Sequence, residues 1–159
     1  VLRPARRKER RRLLGAGYQA GVETGTFIDE FHPIYVKRCQ EWKTRPVPLE
    51  TLRGFLGCGD AWKGFVVRDD AGRLLGAHLC IDLGDELFAW MGTTERVDGG
   101  SLATLLIEEE LRWCHAKGRG GLNLGTSADL SGVADFKRGI SAVEDPRWIL
   151  RWQRGKGFQ

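Results

Sequence analysis

In "LLGAHLCID", residues 74–82, His78, Cys80 and Asp82 fall on alternate positions and so share one face of a strand, opposite Leu75, Leu79 and Ile81. If that face looks into a cleft, His78 can act as a general base near neutral pH. A core histidine bonded to a backbone carbonyl is the commoner outcome of the same pattern. A second place is "LNLGTSADLSGVADFKRGI", residues 122–140, where an apolar strand ends in Gly125-Thr126-Ser127 and leads past Asp129 to Phe136-Lys137-Arg138. Hydroxyls at one end of a long loop and a Lys-Arg pair at the other suit an anionic or polar ligand, because binding groups gather on loops held by rigid elements. Ser127 equally suits a helix cap or turn. No G-x-S-x-G elbow occurs, so no Ser-His-Asp triad is read here. Glu110 is the third oddity. On a helix it projects among Ala103, Leu106 and Cys114, in an apolar arc where a carboxylate needs an ion-pair partner or a rim position.

The composition bounds what can position these groups. The chain has 159 residues, 42% of them hydrophobic, with six Trp and seven Phe, which suits a single α+β domain over residues 1–159 with a real core. Cys39, Cys58, Cys80 and Cys114 are scattered without a C-x-x-C pair, so reduced and mostly buried thiols are expected, and no metal site. No run reaches the roughly 18 apolar residues of a membrane span, and no apolar segment follows the basic start, which points to the cytoplasm. The first residue is Val rather than Met, and a preceding partner domain is one explanation. Charge is uneven: "VLRPARRKERRR", residues 1–12, holds seven Lys or Arg and one Glu, whereas the whole chain is only +4. Such a run can meet phosphates, but a solvated basic arm or helix start is the plainer reading. No aromatic residue interleaves with the arginines, so no base-stacking platform is expected.

The elements follow from periodicity. The basic stretch reads as a helix ending near Gly15–Gly21 and passing into a short strand; "TFIDEFHPIYVKRCQEW" is a helix with Thr26 as N-cap and Pro33 inside it; "RPVPLETLRGFLG" is a loop and a second helix. From residue 63 the period changes to that of three strands joined by Asp-Asp-Ala-Gly-Arg and Leu-Gly-Asp-Glu turns, an antiparallel meander. A helix opened by Ser101 and closed by Lys117-Gly118 follows. Next come the strand "GGLNLG", a short helix "SGVADFKRGI" and a last strand "RWILRWQ".

That order, with "RRKERRRLLGAGYQAGV", "EELRWCHAKGRGGLNLGTS", "GVADFKRGI" and "RWILRW", resembles the GNAT acyltransferase fold in its Fem-type (FemAB-like) branch, over nearly the whole chain and as the second of that branch's two halves. The resemblance implies a mostly antiparallel twisted sheet flanked by helices, with a splayed central strand pair formed by residues 87–93 and 120–125. It implies an acyltransferase acting on an amino or hydroxyl group of a polar, cell-envelope-type precursor in a bacterium. Lys137, in the Phe-Lys pair, would face the donor or the developing oxyanion; Trp90 to Thr94, with Gly92 and Thr93, would line the donor cleft beside Phe136 and Arg138; Thr126, Ser127 and Asp129 would meet the acceptor. GNAT enzymes hold the coenzyme A diphosphate on a Gly-rich loop before the long helix. Here that place reads "ERVDGGSL", offering Arg96, Gly99 and Gly100, but with different spacing and Asp98 as an opposing charge. Acyl-CoA (acetyl-CoA) is the donor read first. Aminoacyl-tRNA is the alternative, and a non-catalytic RNA- or partner-binding module is the third reading. Nothing fixes the oligomeric state.

Overall fold

A computed structural model describes residues 3–126 and 131–145 of the chain. Helix α1, Pro4–Gly15, begins with Pro at its first turn, where the missing N–H is no loss, and leads into β1, Gln19–Glu23. Helix α2, Phe27–Trp42, buries Phe27, Ile28, Phe31, Tyr35 and Cys39, a stripe at three- and four-residue spacing. Pro33 does not end this helix, and Thr26 precedes it without a side-chain capping bond. Helix α3, Leu49–Gly57, is followed by the expected meander of β2, Trp62–Arg68, β3, Leu74–Asp82, and β4, Glu86–Thr94. Helix α4, Ala103–Ala116, β5, Gly121–Asn123, and α5, Ser131–Gly139, complete the described elements. The expected last strand at 148–154 lies outside the described residues.

The sheet order is β1-β2-β3-β4-β5, antiparallel through β4 and parallel between β4 and β5. Leu13 of α1 and Leu102, Leu105, Leu106 and Cys114 of the α4 segment cover one face. Phe27, Ile28, Phe31 and Leu52 of α2 and α3 cover the other. This is the expected α+β layering. Among the described residues no helix is long and apolar enough to cross a membrane.

Two bulges set side-chain directions. Between β2 and β3, Val67 pairs with Gly76 and Arg68 with Leu74, leaving Leu75 as an extra residue. The strand alternation that placed Leu75 opposite His78 is thereby corrected: Leu75 packs with Cys80 beneath α4. Between β3 and β4, Leu79 pairs with Met91 and Cys80 with Ala89, leaving Trp90 as the extra residue. The ladder between β4 and β5 covers only Glu86–Phe88 against Gly121–Asn123, while β4 runs on to Thr94. The two strands therefore part after Phe88, which is the expected splay.

Candidate active site

The centre of the site is a pair on the α4 face of the sheet. His78 of β3 lies across the ladder from Gly92 of β4, and its Nδ1 is 2.6 Å from Oε1 of Glu110 on α4. Glu110 is fully buried and the His78 side chain is 14% exposed. Glu110 is thus the oddity explained: its apolar arc faces the sheet, and its partner is an imidazole. Only glycine fits at position 92, because a Cβ there would lie 2.2 Å from His78 Cδ2 and 2.6 Å from the Ala77 carbonyl. The imidazole therefore rests on the backbone of the strand that borders the splay.

An Nδ1–H donated to the carboxylate leaves Nε2 as the acceptor, and Nε2 makes no hydrogen bond among the described residues. Cys80 Sγ donates to the same Glu110 oxygen at 3.6 Å, while Glu110 Oε2 is buried with no hydrogen bond among the described residues. Burial, then the Glu110 charge beside it, push the Cys80 thiol well up, so Cys80 is no thiolate nucleophile. Asp82 is drawn away from this group by Arg119, at 2.7 Å.

The rest of the expected site residues fall in three places. Trp90, turned by its bulge to the α3 side, packs with Phe55 and Trp62, ring centroids 5.3 Å away in each case. Thr93 is buried and accepts a hydrogen bond from Arg38 Nε at 3.2 Å. Arg96 does not join Gly99 and Gly100: its side chain is 86% exposed, 3.6 Å from Glu41, at the rim of a cleft of about 330 Å³ with Lys37, Arg38 and Glu95.

The loop after β5 holds the second group. Lys137 donates to the carbonyls of Gly125, at 2.8 Å, and Thr126, at 3.0 Å, and burial moves its ammonium pKa down. Two of its three donors thus clasp the loop. A Cβ at Gly125 would stand 3.5 Å from Phe88 Cε2, so this glycine lies close to the point where β4 and β5 part. Lys137 and His78 therefore lie toward opposite ends of the stretch of β4 that β5 leaves without a partner. Phe136 is half-buried with Arg6 stacked over its ring at 4.7 Å, and exposed Arg138 is paired with Asp135 at 2.5 Å and Glu144 at 3.5 Å. Ser127 and Asp129 lie outside the described residues.

The third place is the N-terminus of α4, and the sequence reading missed its main occupant. Glu9 of α1 accepts the Ser101 N–H at 2.8 Å and the Thr104 hydroxyl at 3.0 Å, and pairs with Arg6 at 2.6 Å. Arg12 donates to the Gly99 carbonyl at 2.6 Å through Nε, and Gly100 has φ +142° with the Glu9 side chain where its Cβ would stand. Of the two readings of the basic stretch, arm or helix start, the structure shows a docked helix; the α4 N-cap is Leu102 without a side-chain capping bond, and Glu9 ties the preceding Ser101 N–H to the Thr104 hydroxyl. The signal was legible as the lone acid in residues 1–12. A coenzyme A diphosphate does not fit these donors with Glu9 in place, since the donors are already paired and the occupant is itself an anion.

The fold is matched in known proteins at the level of family. The family model described as an acetyltransferase (GNAT) domain matches residues 3–138. No curated protein sequence matches the chain. The ribosomal-protein-alanine N-acetyltransferase from Brucella melitensis biovar Abortus 2308 is 17% identical, with a TM-score of 0.68 over 86% of this chain and 100% of that one. Aminoglycoside N-acetyltransferase AAC(6')-Iy in complex with CoA is 17% identical, with a TM-score of 0.68 over 86% and 95%. A possible acetyltransferase from Clostridium difficile 630 is 9% identical, with a TM-score of 0.71 over 86% and 97%. Identities this low carry the fold alone, but the family match spans most of the chain: it belongs to the acetyltransferase (GNAT) domain family and is an acyltransferase.

Proposed function

We propose that this enzyme transfers an acyl group to an amino or hydroxyl group of a polar acceptor, with His78 as general base and Glu110 as the group that positions it. The observation that carries this reading is the buried 2.6 Å His78–Glu110 pair, seated on Gly92 beside the splay. The acceptor's nitrogen or oxygen gives its proton to His78 Nε2 as it attacks the acyl carbon. The imidazolium so formed is stabilised through Nδ1–H by the Glu110 carboxylate, in a setting where a charge pair is strong. N–H groups of β4 that turn to the gap beyond Phe88 face the carbonyl oxygen on which charge develops. Collapse of the tetrahedral species breaks the bond to the leaving group, which takes the proton from His78. Lys137 holds the Gly125–Thr126 backbone at the other end of the gap and keeps one donor for the donor's acyl end. The Thr126 hydroxyl, at that rim, meets the acceptor.

Acyl-CoA is the donor supported by AAC(6')-Iy, whose structure is described as a complex with CoA. The closed α4 N-terminus favours a second donor reading, the aminoacyl-tRNA of the Fem-type branch, for which Arg3, Arg7, Lys8 and Arg11 form an exposed basic face on α1. Supplying acetyl-CoA or aminoacyl-tRNA with a panel of primary amines and cell-envelope precursors separates the two. With the productive donor, His78→Ala lowers kcat by about two to four orders of magnitude. Unchanged kcat in a folded His78→Ala protein returns the histidine to the core.

A further inference from the structure

The N-terminus of α4 is the place where this fold offers backbone donors to an anion, and here it already has one. We propose that Glu9 is an internal stand-in for the donor's diphosphate, so that the α4 N-terminus admits CoA only when the Glu9 carboxylate leaves it. The inference rests on the acyl-donor reading above and concerns binding, not the chemical step.

The arrangement is specific on both partners. One Glu9 oxygen takes the Ser101 N–H and the other the Thr104 hydroxyl, while Arg6 on the same helix balances the charge. Arg12 occupies the Gly99 carbonyl one turn further along, so the loop before α4 is held from both its N–H and its C=O sides. Gly100 has a φ of +142°, which belongs to glycine, and a Cβ there would meet the seated Glu9 side chain at 2.4 Å. Leu13, fully buried, anchors the C-terminal end of α1 in the core one turn beyond Glu9. The carboxylate can therefore leave by rotation of its own side chain while the helix stays docked. An incoming diphosphate would otherwise meet a like charge on the donors that it needs.

The test is isothermal titration of CoA, and of inorganic pyrophosphate, into the wild-type chain, Glu9→Ala and Glu9→Gln. Glu9→Ala empties the cradle. Glu9→Gln removes the charge but keeps an acceptor for Ser101, and it decides the matter if Glu9→Ala loses its cooperative melt. The expected result is CoA binding at least tenfold tighter in Glu9→Ala than in wild type and severalfold tighter in Glu9→Gln, with pyrophosphate competing against CoA in the variants. Equal or weaker CoA binding in the folded variants, or no CoA binding by any of the three proteins, overturns the proposal. His78→Ala, combined with each, leaves CoA binding unchanged while turnover falls, so failure of the catalytic reading and failure of this one are told apart.

Discussion

Two carboxylates press against the same helix in opposite conditions. Glu9, arriving from α1 at the first turn of α4, has both oxygens bonded, with Arg6, the Ser101 N–H and the Thr104 hydroxyl around it. Glu110, on α4 itself and fully buried, shares one oxygen between His78 and Cys80 and leaves the other without a hydrogen bond among the described residues. A saturated carboxylate holds elements together until a competing anion takes its partners. An under-satisfied one is costly to keep, and such groups gather where a protein needs a charge ready to act. The difference separates the part of α4 that fixes the architecture from the part that serves the chemistry.

Substitutions at the His78 end should show the largest effects, on rate. His78→Ala is expected to cost the two to four orders of magnitude given above, read as kcat with the acceptor saturating. Glu110→Gln keeps the shape but withdraws the negative charge that stabilises the imidazolium; kcat should fall about tenfold to a hundredfold while KM stays put. Stability sharpens the contrast: Glu110→Leu leaves the His78 Nδ1–H and the Cys80 thiol without their acceptor and should lower the melting temperature by several degrees, whereas replacing His78 and Glu110 together by apolar groups should recover most of that loss. A double variant no more stable than Glu110→Leu would show that the pair is not the source of the loss.

Gly92→Ala comes next. The added methyl must displace the His78 ring or the Ala77 carbonyl, at 2.2 and 2.6 Å, and should destabilise the fold by about 1–3 kcal/mol in chemical denaturation while lowering kcat. A fully stable, fully active variant would mean that the imidazole does not rest on this strand.

The Glu9 end should respond in stability at neutral pH, an effect that acid removes. Burial pushes its carboxyl up, but hydrogen bonds from Arg6, the Ser101 N–H and Thr104 outweigh that and hold it below the ordinary 4.5. A carboxylate depressed in the folded state gives stability that is present above its unfolded pKa and lost as the pH falls through the folded one. Glu9→Gln should therefore be less stable than wild type by about 1 kcal/mol at neutral pH, and the gap should close below about pH 4.5. A gap that persists into stronger acid would point to lost packing rather than lost charge.

The order of helices and strands was legible in the sequence because each element carries its own period and punctuation. The α2 stripe of Phe27, Phe31, Tyr35 and Cys39, the turns between the three meander strands, and Gly118 with φ +66° behind α4 are all local signals. The Phe-Lys pair and the strand before it were legible as a family resemblance. Three features lay beyond any local pattern, because each depends on what distant segments bring to one point. Leu75 and Trp90 are bulges, which appear only when two strands are laid in register, and they reversed or redirected the faces that simple alternation assigned. Glu110 was visible as a misfit in an apolar arc, but its partner is 32 residues away on β3 and is chosen by how α4 crosses the sheet. Glu9 looked like one acid diluted in a basic run. Only the packing of α1, which brings residue 9 to residues 101 and 104, turned it into the occupant of the helix end where the sequence had left room for a phosphate.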